Sequence, residues 1–128
     1  MKEQVKEWID RGRHHFEGAK ILFDAGHFTD VIGILIQQAL ELYLKGLHVH
    51  WGLVPKRTHD LEVLLNPIVR KDEEYQDFLD LCIRVSGYYI EERYPPGPPV
   101  MHTREEIGAS LSEAEKFIAK IDKEVSRV

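Results

Sequence analysis

Thr29-Asp30-Val31-Ile32-Gly33-Ile34-Leu35-Ile36-Gln37-Gln38-Ala39-Leu40-Glu41-Leu42-Tyr43-Leu44-Lys45-Gly46-Leu47 decides the fold. Its apolar residues, from Val31 and Ile32 through Leu35, Ile36, Ala39, Leu40 and Tyr43 to Leu47, cover most of a helix's circumference instead of one side. Such a helix is buried on several sides, and about 20 residues of it reach roughly 30 Å, the span of a small domain. A central helix, or a seam between two copies, is predicted here. The rest of the chain must supply what packs around it.

Upstream, Val5, Trp8, Ile9, Gly12, Phe16, Ala19, Leu22 and Phe23 keep helical spacing up to Gly26, where a left-handed residue can end the helix. Downstream, Gly52 and Pro55 mark a loop. Thr58 is then expected to cap a short helix carrying Leu61, Leu64 and Leu65, interrupted near Asn66-Pro67. A fourth helix shows an apolar face of Tyr75, Phe78, Leu79, Cys82, Val85 and Tyr89, with Asp80 and Arg84 one turn apart and able to pair. Pro95-Pro96-Gly97-Pro98-Pro99 forbids regular helix and favours a stiff extended loop. Thr103-Arg104-Glu105-Glu106 reads as a capping box opening a last helix, whose Ile107, Leu111, Ala114, Ile118, Ile121 and Val125 form a narrow seam. The sequence thus predicts one all-α domain over residues 1–128, an up-and-down bundle of four long helices and one short one.

Composition narrows the function. A net charge of −5 opposes broad wrapping of nucleic acid, because that affinity comes from cations neutralising phosphates. Two basic islands stand out in the acidic chain, Arg11-Gly12-Arg13-His14-His15 and Lys56-Arg57-Thr58-His59, and both also read as solvated helix ends. The single cysteine, Cys82, excludes an internal disulfide, and its apolar neighbours give it no activating cation. With acids rather than an apolar run in Met1–Glu7, a reducing cytoplasm is the expected compartment. Val31–Ile36, the longest apolar stretch, is far short of the roughly 20 residues a membrane crossing takes. His48 and His50 are two apart and His14 and His15 adjacent, neither being the separation of helical zinc motifs, so no metal and no cofactor are expected.

Polar residues interrupt this greasy frame at a few places. Gln38, Glu41, Lys45 and His48 follow three- and four-residue steps, which makes them either a ligand stripe or a solvated edge held by a Glu41–Lys45 pair. His59, near a helix start, either closes that helix against the bundle or offers a hydrogen bond to a phosphate. Arg93 and Tyr94 sit at a helix exit before proline. There a guanidinium can fork onto phosphate and a ring can stack on a base, or the two can cap carbonyls and fill a groove.

Taken in order, Gly26-His27-Phe28, Gln38-Ala39-Leu40-Glu41, Leu44-Lys45-Gly46-Leu47, Thr58-His59-Asp60-Leu61 and Arg93-Tyr94-Pro95 resemble the HEPN family, the higher eukaryotes and prokaryotes nucleotide-binding domain. The resemblance spans most of the chain. It implies a compact helical bundle, commonly a homodimer, whose small stand-alone bacterial and archaeal members often work beside a minimal nucleotidyltransferase. Many members are metal-independent ribonucleases carrying an arginine, four to six intervening residues and a histidine. Here Arg84 meets Tyr89, Ile90 and Glu91 at that spacing, Arg93 reaches only to Val100 with His102 beyond, and no other arginine meets it. No catalytic residue is therefore assigned.

The function implied is a dimeric module binding a nucleotide or another phosphate-bearing ligand. In it Arg93 and Lys45 supply charge, His59 a hydrogen bond, Tyr94 a stacking ring, and Glu41 a partner on the same stripe. RNA is not the favoured ligand. The alternatives are an RNA-cleaving toxin with a displaced arginine and histidine, and a structural dimerisation partner.

Overall fold

The computed structural model describes residues 1–92 and 102–127, the side chains of 90–92 apart. Five α-helices follow one another: α1 (Glu3–Asp24), α2 (Thr29–His50), α3 (Leu61–Lys71), α4 (Leu79–Glu92) and α5 (Arg104–Val125), with a 3-10 segment, Glu73–Phe78, between α3 and α4. No strand occurs among the described residues. The predicted helical bundle is thus the architecture found.

The apolar circumference of α2 is used as expected, since α2 packs on α1, α3, α4 and α5. Ile32, Ile36, Ala39, Leu40, Leu44 and Leu47 along it have no exposed surface. All six seam residues of α5 are buried too. Gly26 (φ 72°) turns the chain between α1 and α2 through the left-handed region that glycine enters without penalty. At this same end of the pair, Arg104 of α5 lies 4.1 Å from the Phe23 ring and donates to the Phe23 carbonyl at 3.0 Å. A cation is thereby placed at the C-terminal end of α1, whose own last turn has none.

Helices α1 and α2 approach closely because glycine faces the partner. A Cβ on Gly12 would lie 2.6 Å from the Tyr43 ring and 3.2 Å from the Ala39 carbonyl, whereas one on Gly18 of the same helix would meet nothing within 4 Å. Alanine at Gly18 is therefore expected to stabilise by about 1 kcal/mol through helix propensity. Alanine at Gly12 is expected to destabilise by about 1–2 kcal/mol, because crowding a buried ring outweighs that gain. Urea denaturation of the two variants checks the opposite signs, and a stabilised Gly12→Ala would refute the close approach.

Several local expectations need correction. Helix α3 is not interrupted at Asn66-Pro67 but runs through Pro67 to Lys71, the ring removing one N–H from a helix already anchored by buried Leu61, Leu64, Leu65 and Ile68. Its cap is Asp60, whose carboxylate accepts from the Glu62 and Val63 amides at 2.9 and 3.3 Å; Thr58 accepts from Asp60 instead, at 3.1 Å. The apolar face beginning at Tyr75 starts in the 3-10 segment, one step before α4. Arg84 pairs with Glu113 and donates to Ser110 at 3.1 Å, both on α5, rather than with Asp80. Thr103 does accept from the Glu106 amide at 3.0 Å. Glu106 itself, however, accepts a hydrogen bond from Tyr88 at 3.1 Å and lies 2.9 Å from His102 Nδ1.

Candidate ligand-binding site

The stripe on α2 divides between several environments. Glu41 and Lys45 are largely enclosed, each side chain 12% exposed, and their ends meet at 2.9 Å. His48 is buried, and its Nε2 donates to the Leu64 carbonyl at 2.6 Å, tying α2 to α3. Burial pushes the His48 pKa down, the Leu64 hydrogen bond opposes this, and Lys45 and Lys56 reinforce it, so the ring is held neutral as a strut. Gln38 lines a surface hollow. The expected Glu41–Lys45 pair is thus present, but Glu41, Lys45 and His48 do not form a solvated edge.

Glu41 is the hub. Its Oε1 accepts from Gln37 Nε2 at 3.0 Å and from His59 Nδ1 at 2.8 Å, while Oε2 takes the Lys45 ammonium. Gln37, wholly buried, donates a second hydrogen bond at 3.0 Å to the His59 carbonyl. Two residues further, the Leu61 amide donates to Ser86 on α4 at 2.8 Å. The end of the loop is thus fixed to α2 and α4 together. Burial raises the Glu41 pKa, but hydrogen bonds from Lys45, His59 and Gln37 more than reverse it, leaving the carboxyl below its ordinary value. An ionised Glu41 is an acceptor only, so His59 carries its ring proton on Nδ1.

The outer side of His59 is open, the side chain being 55% exposed. Its ring stacks on Tyr89 of α4, centroids 4.3 Å apart and planes 25° from parallel. This stacked pair borders two hollows. One, of about 270 Å³, is lined by Arg11 and His15 of α1, Gln38 and Glu41 of α2, His59 and Tyr89. The other, of about 480 Å³, lies over α3 and α4 beside Asp60, Glu62 and Ser86. The larger is bordered by the Asp60 and Glu62 carboxylates, whereas the smaller sets Arg11 and two imidazoles against the single carboxylate of Glu41, already matched by Lys45, so the smaller is the one suited to an anion.

Of the five residues expected to form a ligand site, Glu41, Lys45 and His59 come together. Lys45 does so as the partner of Glu41 rather than as an open cation. Arg93 and Tyr94 lie outside the described residues. Sequence reasoning passed over Gln37, Tyr89 as the ring stacked on His59, and the part taken by Arg11 and His15. The signal for the last two was the basic island in α1, which points at the hollow only once α1 is laid against α2. Among the described residues, no group of three or more His, Cys, Asp or Glu side chains could hold a metal ion. Nor is any helix there long and apolar enough to cross a membrane.

The profile described as HEPN domain matches residues 5–124. The chain is similar to the crystal structure of TT1696 from Thermus thermophilus, with 28% identity over 95% of this chain and 98% of that one, at a TM-score of 0.83. It is also similar in fold to ST0689, described as an archaeal HEPN homologue, with 23% identity over 98% of this chain and 100% of that one, at a TM-score of 0.76. No curated protein matches it significantly.

Proposed function

Because this chain belongs to the HEPN domain family, we propose that it is a dimeric binding module for a nucleotide or another phosphate-bearing ligand, acting beside a minimal nucleotidyltransferase. The observation that carries the reading is the convergence of Glu41, Lys45 and His59 next to a hollow lined by Arg11, His15 and a stacked aromatic pair. An aromatic edge can receive a base, and guanidinium and imidazole groups receive phosphate. In this reading Arg93 and Tyr94, four and five positions after Tyr89, add a second cation and ring. The dimer is proposed through the outward side of the start of α2, where Phe28, the residue before the helix, is 64% and Val31 37% exposed. A second copy would cover these two side chains.

Calorimetry with a panel of nucleotides tests the ligand. Wild type is expected to bind a phosphate-bearing member, and Arg93→Ala and His59→Ala are expected to weaken it about tenfold each, the loss typical of one charge-assisted hydrogen bond. Equal, weak binding by wild type and both variants overturns the assignment. Sedimentation of Val31→Glu tests the dimer, which should dissociate if α2 is the seam.

A further inference from the structure

We infer that the smaller hollow takes up a phosphate monoester together with protons, one for each Nε2 it meets, held between Nε2 of His15 and Nε2 of His59, with Arg11 as the fixed cation. This rests on the proposed phosphate-bearing ligand and assigns to it two residues of α1 and a proton stoichiometry. The two imidazoles are prepared alike. His15 Nδ1 lies 2.9 Å from the Arg11 carbonyl, which only accepts, so that nitrogen carries the hydrogen. His59 Nδ1 carries its hydrogen toward the ionised Glu41. In both rings Nε2 is the atom left to a ligand, and neither makes a hydrogen bond from Nε2 among the described residues. Arg11 likewise forms no ion pair among them, although it lines the same hollow.

The chemistry follows from the tautomer. With the hydrogen on Nδ1, each uncharged ring presents an Nε2 lone pair, which repels a fully ionised phosphate. Each Nε2 that meets a phosphate oxygen needs one proton, either on Nε2, converting acceptor into donor, or on the phosphate oxygen, which then donates to Nε2. A dianion seated between the two rings therefore arrives with two protons. No covalent bond is made or broken. The charged and titratable groups described around the imidazoles do not replace those protons: Glu41 is already matched by Lys45, Asp60 and Glu62 border the far side of His59, and Tyr89 presents a ring. Among the described residues that line the hollow, only Arg11 adds permanent positive charge, and it does so from the same helix as His15.

Calorimetry of the whole chain with inorganic phosphate and with adenosine 5′-monophosphate, in two buffers of different ionisation enthalpy near about pH 7.5, counts the protons taken up. The expected result is about two protons per adenosine 5′-monophosphate, fewer per inorganic phosphate because part of it already carries its proton at that pH, and an affinity for the monoester that rises up to about a hundredfold for each unit the pH falls. His59→Asn keeps a donor near Glu41 but removes Nε2, and it should lower the count, as should His15→Asn. Arg11→Gln should weaken binding about tenfold while the count stays the same. Melting curves for each variant establish that it is folded. If phosphate binds with no buffer-dependent heat, or the asparagine variants keep the wild-type count, the proton-coupled site is wrong while the broader ligand reading stands. If no phosphate compound binds, both fail.

Discussion

Replacing Phe117 with alanine is expected to remove about 4 kcal/mol of folding stability, seen as a fall in the urea midpoint at unchanged slope. The ring has no exposed surface. It stacks on Phe78 with centroids 4.5 Å apart and planes 9° from parallel, and it meets Tyr75 at 6.1 Å. Tyr75 in turn receives Trp51 edge-on at 6.1 Å. These rings come from α5, from the 3-10 segment and from the turn that follows α2. Their contact is what holds the segment between α3 and α4 to the bundle, and each well-placed ring pair adds about 0.5–1.5 kcal/mol beyond the area it buries. Because three separate backbones line the gap, it closes poorly when the ring is removed. Val54→Ala, at a side chain 89% exposed, serves as the comparison and should change stability by less than about 0.5 kcal/mol. A Phe117→Ala loss below about 2 kcal/mol would contradict the packing.

The second large effect is expected at Glu41. Alanine there strands the Lys45 ammonium and the inward nitrogen of His59, and breaking such an enclosed pair costs about 3 kcal/mol, the lower end of the range because Lys45 can still turn toward water. Glu41→Leu combined with Lys45→Met should recover most of that loss, since an apolar pair of similar volume needs no counter-charge. The pH profile separates this from simple loss of volume. The folded carboxyl sits below its ordinary value, so its contribution is fully present above the unfolded carboxylate range. That contribution disappears as pH falls through the lower, folded value, beneath the ordinary carboxylate range. Stability curves of wild type and Glu41→Gln should therefore converge in acid and separate toward neutrality. Parallel curves would show that the carboxylate does not anchor the cluster.

What could be read in the chain, and what could not, divides by sequence distance. The central position of α2 was legible because its apolar steps repeat without a polar side, and α5 because its seam residues recur at three and four. The run of α3 through Pro67 was not, since local geometry argues for a break and only the buried leucines around it argue otherwise. Thr58 and Asp60 are both competent caps two positions apart, and sequence alone does not say which carboxyl or hydroxyl reaches the open amides. Arg84 had a partner one turn away in Asp80, yet the bond to Glu113 depends on α5 lying alongside, which no local pattern reveals. Glu41 and His59 stand 18 positions apart and were placed on one site by family resemblance, but their direct hydrogen bond depends on Gln37 being drawn inside. A glutamine beside a polar stripe ordinarily points to water.

The double fastening of the segment before α3 carries a consequence for how heat and solvent reach this molecule. Gln37 grips the His59 carbonyl and Ser86 receives the Leu61 amide, while the stretch from Gly52 to Arg57 has few comparable ties. Deuterium should enter that stretch quickly and stall at Leu61, whose amide exchanges only when the start of α3 leaves Ser86 on α4. The connection behaves like a rope slack along its length and cleated at one end, so fluctuations of the free portion leave the imidazole's position undisturbed.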